Sequence, residues 1–542
     1  MLVSDAVGRA MVALGADRVF GVVGSGNFHV TNAMVAAGAP YVAARHEAGA
    51  ATMADAYARV SGRLGVVTVH QGPGLTNALT GITEAAKSRT PLVVLAADTG
   101  AAAIRSNFRI DQAGLAVAVG AVAERVHLAD SAVADTVRAV RRAVVERRTV
   151  VLNLPLDVQA QECQGSLDGL TPVIPLPGPV AAGISELAAV LAGARRPVFL
   201  AGRGARAAGP AVAAVAARCG ALLATSAVAR GLFAGDPWSL DVSGGFASPL
   251  AAELIGDADV VVAWGCALNM WTTRHGRLIG PDATVVQVDL DADALGAHRP
   301  VDLALLGDVG ATAAAVLPEL DQAPGYRDAT MAARIESQVR WRDVSFVDDG
   351  TESTVDPRTL SIALDDLLPA DRVVAVDSGN FMGYPSAYLA VPDQHGFCFT
   401  QGFQSVGLGL ASAIGAALAR PDRLPVAALG DGGALMSIAD LETAVRLGLP
   451  LVIVVYDDGG YGAEVHHFGP DGFDLATVRF PDTDIAAIAR GFGCTGVTVR
   501  RREDLAPLTE WLAGPRATPI LLDAKVTADT GAWWLEEAFR GH

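Results

Sequence analysis

The chain has 542 residues, of which 51% are hydrophobic and 18% are charged, and its formal net charge is −17. This length and apolar content predict several packed domains and exclude general disorder. The negative charge, with no lysine- or arginine-rich stretch to offset it, argues against a nucleic-acid partner and an anionic-membrane partner. The five cysteines are scattered without metal-ligand spacing, no signal peptide opens the chain, and no apolar run reaches membrane-spanning length, so we expect a cytoplasmic protein.

Strand-like and helix-like patterns alternate from end to end, which is typical of an α/β protein with doubly wound parallel sheets. The first third, for example, contains the strand-like segments RVFGVV, YVAARH, GVVTVH and LVVLAAD. A proline-rich link at 171–180 and a polar stretch at 321–357 divide the chain. The aromatic residues near the C-terminus would either close over a site as a lid or dock on the surface. The sequence therefore predicts three such domains, at 1–165, 180–320 and 350–525, and a C-terminal tail at 526–542.

Three turns of the first domain carry polar side chains directly after predicted strands. Ser25 lies in GVVGSGN, Glu47 in RHEAG and His70 in VHQGPG. Open parallel sheets place ligands at loops of this kind, at the carboxyl ends of their strands. Simpler interpretations stay open: Glu47 as an acid in the first turn of a helix, and His70 as a strand-end histidine bonded to a backbone carbonyl.

Two acidic, glycine-rich turns of the third domain also follow buried strands. VAALG runs into GDGG at 430–433, LVIVVY runs into a second turn at 457–460, and the apolar spacing at 438–449 predicts one continuous helix between them. Backbone amides at such a turn favour phosphate, and Mg²⁺ binds oxygen ligands. A magnesium diphosphate site is therefore predicted, with an ordinary strand–turn–helix unit as the alternative. The predicted metal ligands are Asp431, Asp458 and a carbonyl at Gly460.

These segments resemble the thiamine diphosphate-dependent superfamily of acetolactate synthase, pyruvate decarboxylase and benzoylformate decarboxylase. Asp458 follows Asp431 by 27 positions, the interval expected of that family, and the segment from RHEAGAATMADAYARV to LVVLAAD, at 45–98, resembles its pyrimidine-binding domain. The resemblance implies bound thiamine diphosphate and Mg²⁺. It is most specific in the first and third domains. Asp458 stands where the family has a metal-binding asparagine, and the extra carboxylate should tighten the metal and repel the phosphates.

The resemblance also implies roles for individual residues. Glu47 would contact the aminopyrimidine ring and promote loss of the thiazolium proton. Val406, in GFQSVGLGL, would wedge under the cofactor, and the carbonyl of Gln404 would accept a hydrogen bond from the ring. A small-residue core helix is an equally suitable interpretation of that segment. The other residues implied at the cofactor are Gly379, Asn380, Gly430, Asp431, Gly432, Gly433 and Tyr461.

Three further residues are implied at the substrate. Ser25 and His70 occupy the positions of an active-site serine and histidine in benzoylformate decarboxylase, and Glu464 that of a glutamate in pyruvate decarboxylase. A histidine titrating near neutral pH suits proton transfer, whereas Glu464 could equally be a first-turn helix carboxylate. The implied substrates are a 2-oxo acid and an aldehyde or second 2-oxo acid as acceptor. The implied assembly is a homodimer or homotetramer with active sites between subunits.

The middle domain binds flavin adenine dinucleotide (FAD) in acetolactate synthases and some of their relatives. The loop WGCALNMWTTRHG, at 264–276, lacks the arginine and aspartate pattern expected of such a site, so a structural role is favoured over FAD binding. The favoured function is decarboxylation of a 2-oxo acid with carboligation, as in acetolactate synthase. A simple 2-oxo acid decarboxylase, a flavin oxidase and a cofactor-binding regulatory subunit without turnover are the alternatives.

Overall fold

The chain, represented by a computed structural model, is described at residues 1–175, 178–528 and 531–540, so parts of the predicted link and tail lie outside the described residues. The described strands form three six-stranded parallel sheets with helices between the strands. Neighbouring residues of one strand enter different hydrophobic cores, as Val66 and Val67 do. These sheets confirm the predicted α/β class with three parallel-sheet domains, while the exact domain limits stay predictions.

The first sheet belongs to the N-terminal part of the chain. Its strands are β1 Val19–Gly21, β2 Tyr41–Ala43, β3 Gly65–Val69, β4 Leu92–Asp98, β5 Val122–Arg125 and β6 Thr149–Pro155. The helices of this part are α1 Val3–Ala13, α2 Phe28–Ala36, α3 Glu47–Ser61, α4 Pro73–Lys87, α5 Gln112–Ala118, α6 Ala132–Val145 and α7 Leu156–Gln159. The strand order is β2-β1-β3-β4-β6-β5.

The second sheet forms the centre of the chain, with strand order β12-β11-β10-β7-β8-β9. Its strands are β7 Pro197–Ala201, β8 Leu222–Thr225, β9 Ser239–Val242, β10 Val260–Trp264, β11 Thr284–Asp289 and β12 Leu303–Leu306. The helices are α8 Ile184–Gly193, α9 Gly209–Cys219, α10 Pro249–Gly256, α11 Val309–Val316 and α12 Ala329–Gln338.

The third sheet carries the predicted diphosphate site, and its strand order is β14-β13-β15-β16-β18-β17. Its strands are β13 Arg372–Val376, β14 Phe397–Phe399, β15 Leu424–Gly430, β16 Val452–Asp457, β17 Thr495–Val499 and β18 Ile520–Lys525. The helices are α13 Pro357–Leu367, α14 Gly383–Tyr388, α15 Gly409–Ala419, α16 Asp431–Ser437, α17 Leu441–Arg446, α18 Gly462–Phe468, α19 Ile485–Phe492, α20 Ala506–Ala513 and α21 Leu535–Ala538.

The inner strands are continuous apolar runs because helices cover both faces of a parallel sheet. Every residue of β16 is buried, and β16 lies between β15 and β18. Since β13, β15 and β16 run parallel, the turns that follow them meet at one edge of the sheet. This arrangement brings together segments that are distant in sequence.

Helix α3 of the first domain packs against α15 of the third, and small residues allow the close approach. A side chain at Gly415 would clash with the backbone of Met53. Beside this contact, Arg59 lies buried between Asp55 at 2.7 Å and Glu84 at 2.6 Å. Glu84 also accepts hydrogen bonds from the backbone nitrogens at 402 and 403, at 3.0 and 2.7 Å. One buried ionic network therefore joins the two domains and fixes one end of the loop that carries Gln404.

The continuous helix predicted from 438–449 is interrupted, which corrects that expectation. The structure begins α16 at Asp431, inserts a 3-10 turn at Ile438–Asp440 and resumes with α17. At the interruption the buried Asp440 accepts hydrogen bonds from the backbone nitrogen of Arg45, at 2.8 Å, and from the Thr443 hydroxyl, at 3.1 Å. The contact with the first domain thus lies at the helix interruption. The periodicity of apolar residues in one segment carries no information about such a contact.

The structure also bears on the expectations about membranes and cysteines. Within the described ranges, no helix combines the length and the apolar character that crossing a membrane requires. All five cysteines are buried and free. Burial raises the pKa of Cys398 and Cys494 to about 12, so both thiols stay protonated at neutral pH.

We predict that Glu84→Gln lowers the free energy of unfolding, because it leaves the buried Arg59 with one carboxylate fewer. Removing one partner of a buried ion pair costs roughly 3–5 kcal/mol. Urea unfolding followed at the first transition measures the change. The control is Asp422→Asn, since the exposed pair of Asp422 with Arg420 should contribute less than about 1 kcal/mol. Equal shifts in the two variants would contradict a special role for the buried network.

Candidate active site

A cavity of about 1440 Å³ opens at the carboxyl edge of the third sheet and extends to the central domain. Its lining in the third domain includes the turns after β13, β15 and β16 and the loop before α15, and residues 86, 87, 89 and 145–148 of the first domain also line it. These turns bring together all the residues that the sequence predicts in the third domain. They are Gly379, Asn380, Gln404, Val406, Gly430, Asp431, Gly432, Gly433, Asp458, Gly460, Tyr461 and Glu464.

Two carboxylates on adjacent strands define the electrostatics of this cavity. Asp431 follows β15 and Asp458 follows β16, and Gly430 pairs with Tyr456 in the parallel register. Burial, followed by the charges of Asp458 and Asp457, raises the pKa of Asp431 to about 8. Burial also raises the pKa of Asp458 to about 6, against the lowering effect of a hydrogen bond from Asn380. A bound cation would favour the ionised form of both carboxylates.

Asn380 completes the group of oxygen atoms around this pair. Its Nδ2 donates to Asp458 Oδ2 at 3.2 Å, whereas its buried Oδ1 has no hydrogen-bond partner in the described part of the chain. Also within those residues, no three His, Cys, Asp or Glu side chains form a complete metal centre. Two carboxylates and nearby carbonyls fit Mg²⁺, which commonly takes its remaining ligands from phosphate and water.

Glycines form the wall beside the two carboxylates. A Cβ at Gly432 would lie 2.8 Å from the ring of Tyr461, and one at Gly433 would clash with the carboxylate of Asp377. Any side chain would therefore fill the space next to Asp431. The backbone at the start of α16 stays accessible to phosphate oxygens, as the sequence predicts for a glycine-rich turn.

The loop before α15 is held by Asp377, which the sequence analysis missed. This fully buried aspartate accepts hydrogen bonds from the backbone nitrogens of Gly407, at 3.0 Å, and Leu408, at 3.2 Å. Gln404 adopts a left-handed backbone conformation with φ 61°, a strained state that is common at functional sites. Val406 is 37% exposed in the cavity. The sequence signal that could have identified Asp377 is its position directly after the buried strand β13.

The candidate residues of the first domain gather at a different sheet edge. Ser25 Oγ lies 3.4 Å from His70 Nε2, while His70 Nδ1 bonds the carbonyl of Gln71 at 2.8 Å. Glu47 is the first residue of α3 and accepts a hydrogen bond from Asn77 Nδ2 at 3.1 Å. His70 is thus bonded to a backbone carbonyl and Glu47 lies in the first turn of a helix, as the simpler interpretations of these residues stated. None of these residues lines the large cavity of the same chain, as far as the structure is described.

The C-terminal segment forms part of the cavity wall near Glu464. Leu535, Ala538 and Phe539 line the cavity, and the Phe539 ring stacks on His467 with centroids 4.1 Å apart. The segment is anchored by Trp534, which is fully buried against aromatic rings. The described part of the tail therefore contributes one aromatic ring, Phe539, to the cavity wall, while Trp534 packs in the core.

The far end of the cavity lies in the central domain. It is lined by the turns after β7, β10 and β11, including Gly202, Gly265 and Asp289. Gly202 and Gly265 lie in close contact there, so neither tolerates a side chain. The loop at 264–276 and the diphosphate turns thus share one continuous space.

Comparison with protein families agrees with this organisation. The N-terminal domain model of thiamine pyrophosphate enzymes matches residues 1–115. The central-domain model of the same enzymes matches residues 184–316, and their C-terminal domain model matches residues 377–524. The three matches follow the chain in the order of the three sheets.

Curated relatives align over nearly the whole chain. Sulfoacetaldehyde acetyltransferase from Castellaniella defragrans is 31% identical over 94% of this chain and 90% of its own length. The probable 2-ketoarginine decarboxylase of Pseudomonas aeruginosa is 30% identical over 92% and 90%. The large subunit of acetolactate synthase isozyme 2 from Escherichia coli is 27% identical over 97% and 95%. The chain belongs to the thiamine diphosphate-dependent enzyme family, whose members here act on carbon–carbon bonds.

Proposed function

We propose that the protein is a Mg²⁺-dependent member of this family that decarboxylates a 2-oxo acid and joins the remaining fragment to a second carbonyl compound. The observation that carries the proposal is the pair Asp431 and Asp458, a buried and a partly buried carboxylate that follow adjacent strands and lie beside a glycine wall. The five buried, free cysteines support a cytoplasmic location.

Mg²⁺ would be held by Asp431, Asp458 and the carbonyl of Gly460. The diphosphate would lie along the glycines at 430–433, with Asn380 and Gly379 opposite. Gln404 and Val406 would hold the aminopyrimidine end, because Asp377 and the network around Glu84 fix both ends of their loop. When bound, the cofactor supplies the carbanion and the electron sink for decarboxylation.

A second copy of the chain would complete the site. Glu47, Ser25 and His70 lie at an edge of the first domain that the same chain's cavity does not include. That edge exposes apolar side chains, among them Phe28 at 52%, and the diphosphate domain exposes Met436 at 59%. We propose that these surfaces cover each other in a homodimer or homotetramer, with Glu47 of one subunit facing the diphosphate domain of the other.

Four side chains would move or hold protons. Glu47 would share a proton with the aminopyrimidine ring. The hydrogen bond from His70 Nδ1 to a backbone carbonyl leaves Nε2 to face Ser25, a geometry that suits transfer to the substrate. Glu464 lines the cavity beside the apolar wall of the tail and would serve as a second proton donor.

Carboligation is the favoured outcome, because the cavity is large and acetolactate synthases are among the relatives. Simple decarboxylation is the second candidate, and the proton donors His70 and Glu464 favour it. Asp458 is the best argument for a subunit without turnover, whereas the retained Glu47 and Asp431 argue against one. FAD in the central crevice stays a less favoured proposal, which the absorption spectrum of the purified protein tests.

Product analysis is the direct test of this function. Pyruvate, benzoylformate and longer 2-oxo acids are supplied with Mg²⁺ and thiamine diphosphate, with and without an aldehyde acceptor, and products are identified by mass. A hydroxyketone or 2-hydroxy-3-oxo acid supports carboligation. An aldehyde alone supports the decarboxylase. Failure of every 2-oxo acid to react would contradict both.

We predict that Glu47→Gln reduces turnover by roughly 10² to 10⁴, the usual contribution of general acid–base catalysis. Affinity for thiamine diphosphate should be retained, because Glu47 would contact the ring and not the diphosphate. The matched control is Glu186→Gln, another acid in the first turn of a helix, which should leave turnover unchanged. Unchanged turnover in Glu47→Gln would refute its catalytic role.

We predict that Asp458→Asn keeps Mg²⁺ binding in the presence of thiamine diphosphate, because the amide oxygen remains a ligand and one of two repelling charges is removed. Asp431→Ala should abolish it, because that change removes the oxygen ligand altogether. Isothermal titration calorimetry on both variants measures the difference. Complete loss of binding in Asp458→Asn would show that its charge is essential.

A further inference from the structure

The two aspartates of the second acidic turn face different surroundings. Asp458 lines the cavity. Asp457 ends β16, and its Oδ2 lies 2.5 Å from Nζ of Lys525. Its Oδ1 accepts a hydrogen bond from the backbone nitrogen of Gly459 at 3.0 Å. The carboxylate of Asp457 is therefore engaged away from the cavity.

Lys525 occupies a site that suits a compact ammonium group. It ends β18 and is the register partner of Asp457 on the adjacent strand. Besides Asp457, its Nζ contacts Asp482 Oδ1 at 2.7 Å, Thr483 O at 2.9 Å and Asp523 Oδ2 at 3.3 Å. An ammonium has three rotatable donors, whereas the planar guanidinium of arginine would require a different arrangement.

The sequence itself sets Lys525 apart. Of the 41 lysine and arginine residues, all but Lys87 and Lys525 are arginine. Lysine thus stands at a position where one buried cation meets three carboxylates. The compact ammonium group of lysine suits these contacts better than the guanidinium of arginine, which accounts for the lysine at this position.

The charge of Asp457 reaches the candidate metal ligands. Asp457 directly precedes Asp458, and its strand β16 pairs with β15, which leads into Asp431. Without Lys525, Asp457 would be a third uncompensated carboxylate at this edge of the sheet. It would also lose the partner that holds it toward β18, and with it the anchor for the backbone at Gly459.

We propose that Lys525 is the positioning residue of the metal turn. It neutralises Asp457 and, through the hydrogen bond of Asp457 to Gly459, fixes the backbone that presents Asp458 and the carbonyl of Gly460. The inference rests on the proposed magnesium site and adds a residue that does not touch the metal. Partners of this kind commonly orient metal ligands and tune affinity.

The test is a double-mutant cycle on the full-length protein. Mg²⁺ is titrated calorimetrically into protein saturated with thiamine diphosphate. Lys525→Met should weaken Mg²⁺ binding by about 10- to 100-fold, the usual effect of losing such a partner. Asp457→Asn combined with Lys525→Met should restore affinity to within about threefold of wild type, because coupled partners do not act additively.

Asp482→Asn is the matched control within the same cluster. The side chain of Asp482 is 68% exposed, so its loss should change Mg²⁺ affinity by less than about twofold. Equal Mg²⁺ affinity in wild type and Lys525→Met would overturn the proposed role of Lys525 but not the proposed magnesium site. A wild-type protein that binds no Mg²⁺ would overturn the proposed site as well. If Lys525→Met does not fold, a folded double variant with about tenfold weaker binding would contradict the proposal.

Discussion

Two carboxylates at the ends of adjacent strands, one buried and one partly buried, are the constraint on which the rest of the site depends. A parallel register places Asp431 and Asp458 at one sheet edge, where burial and mutual repulsion disfavour the ionised pair. Such an arrangement is costly unless a cation binds there. The same cavity contains the glycine wall, the loop of Gln404 and the Asn380 oxygen, which has no hydrogen-bond partner among the residues that the structure describes.

The second organising feature is the separation of the candidate site over two sheet edges. The residues proposed to activate the cofactor lie on the first domain, and those proposed to hold it lie on the third. Within one chain, these two domains contact each other through α3, α15 and the network of Arg59 and Glu84. Glu47, Ser25 and His70 do not line the cavity of the same chain in its described part, which is the basis for proposing that a second copy supplies them.

Much of this organisation was predictable, because parallel sheets leave strong local signals. Continuous apolar strands followed by glycine-rich acidic turns predicted the fold class and the turns at 430–433 and 457–460. The other predicted cavity residues, such as Gln404, Val406 and Glu464, came from the resemblance to the thiamine diphosphate family. The break before Leu441 was not predictable, since it coincides with a hydrogen bond between Asp440 and the distant Arg45. The roles of Asp377, Glu84 and Lys525 were not predicted for the same reason. Their partners are remote in sequence, and a buried charge leaves no periodic pattern.

The central claim is that Asp431 and Asp458 hold one divalent cation together with thiamine diphosphate. Anomalous scattering from crystals grown with Mn²⁺ and thiamine diphosphate would locate that cation directly. The account predicts one peak per chain, about 2.1 Å from an oxygen of each aspartate, with Glu47 of a second chain facing the aminopyrimidine ring. A peak at another position, or cofactor bound away from these aspartates, would contradict it.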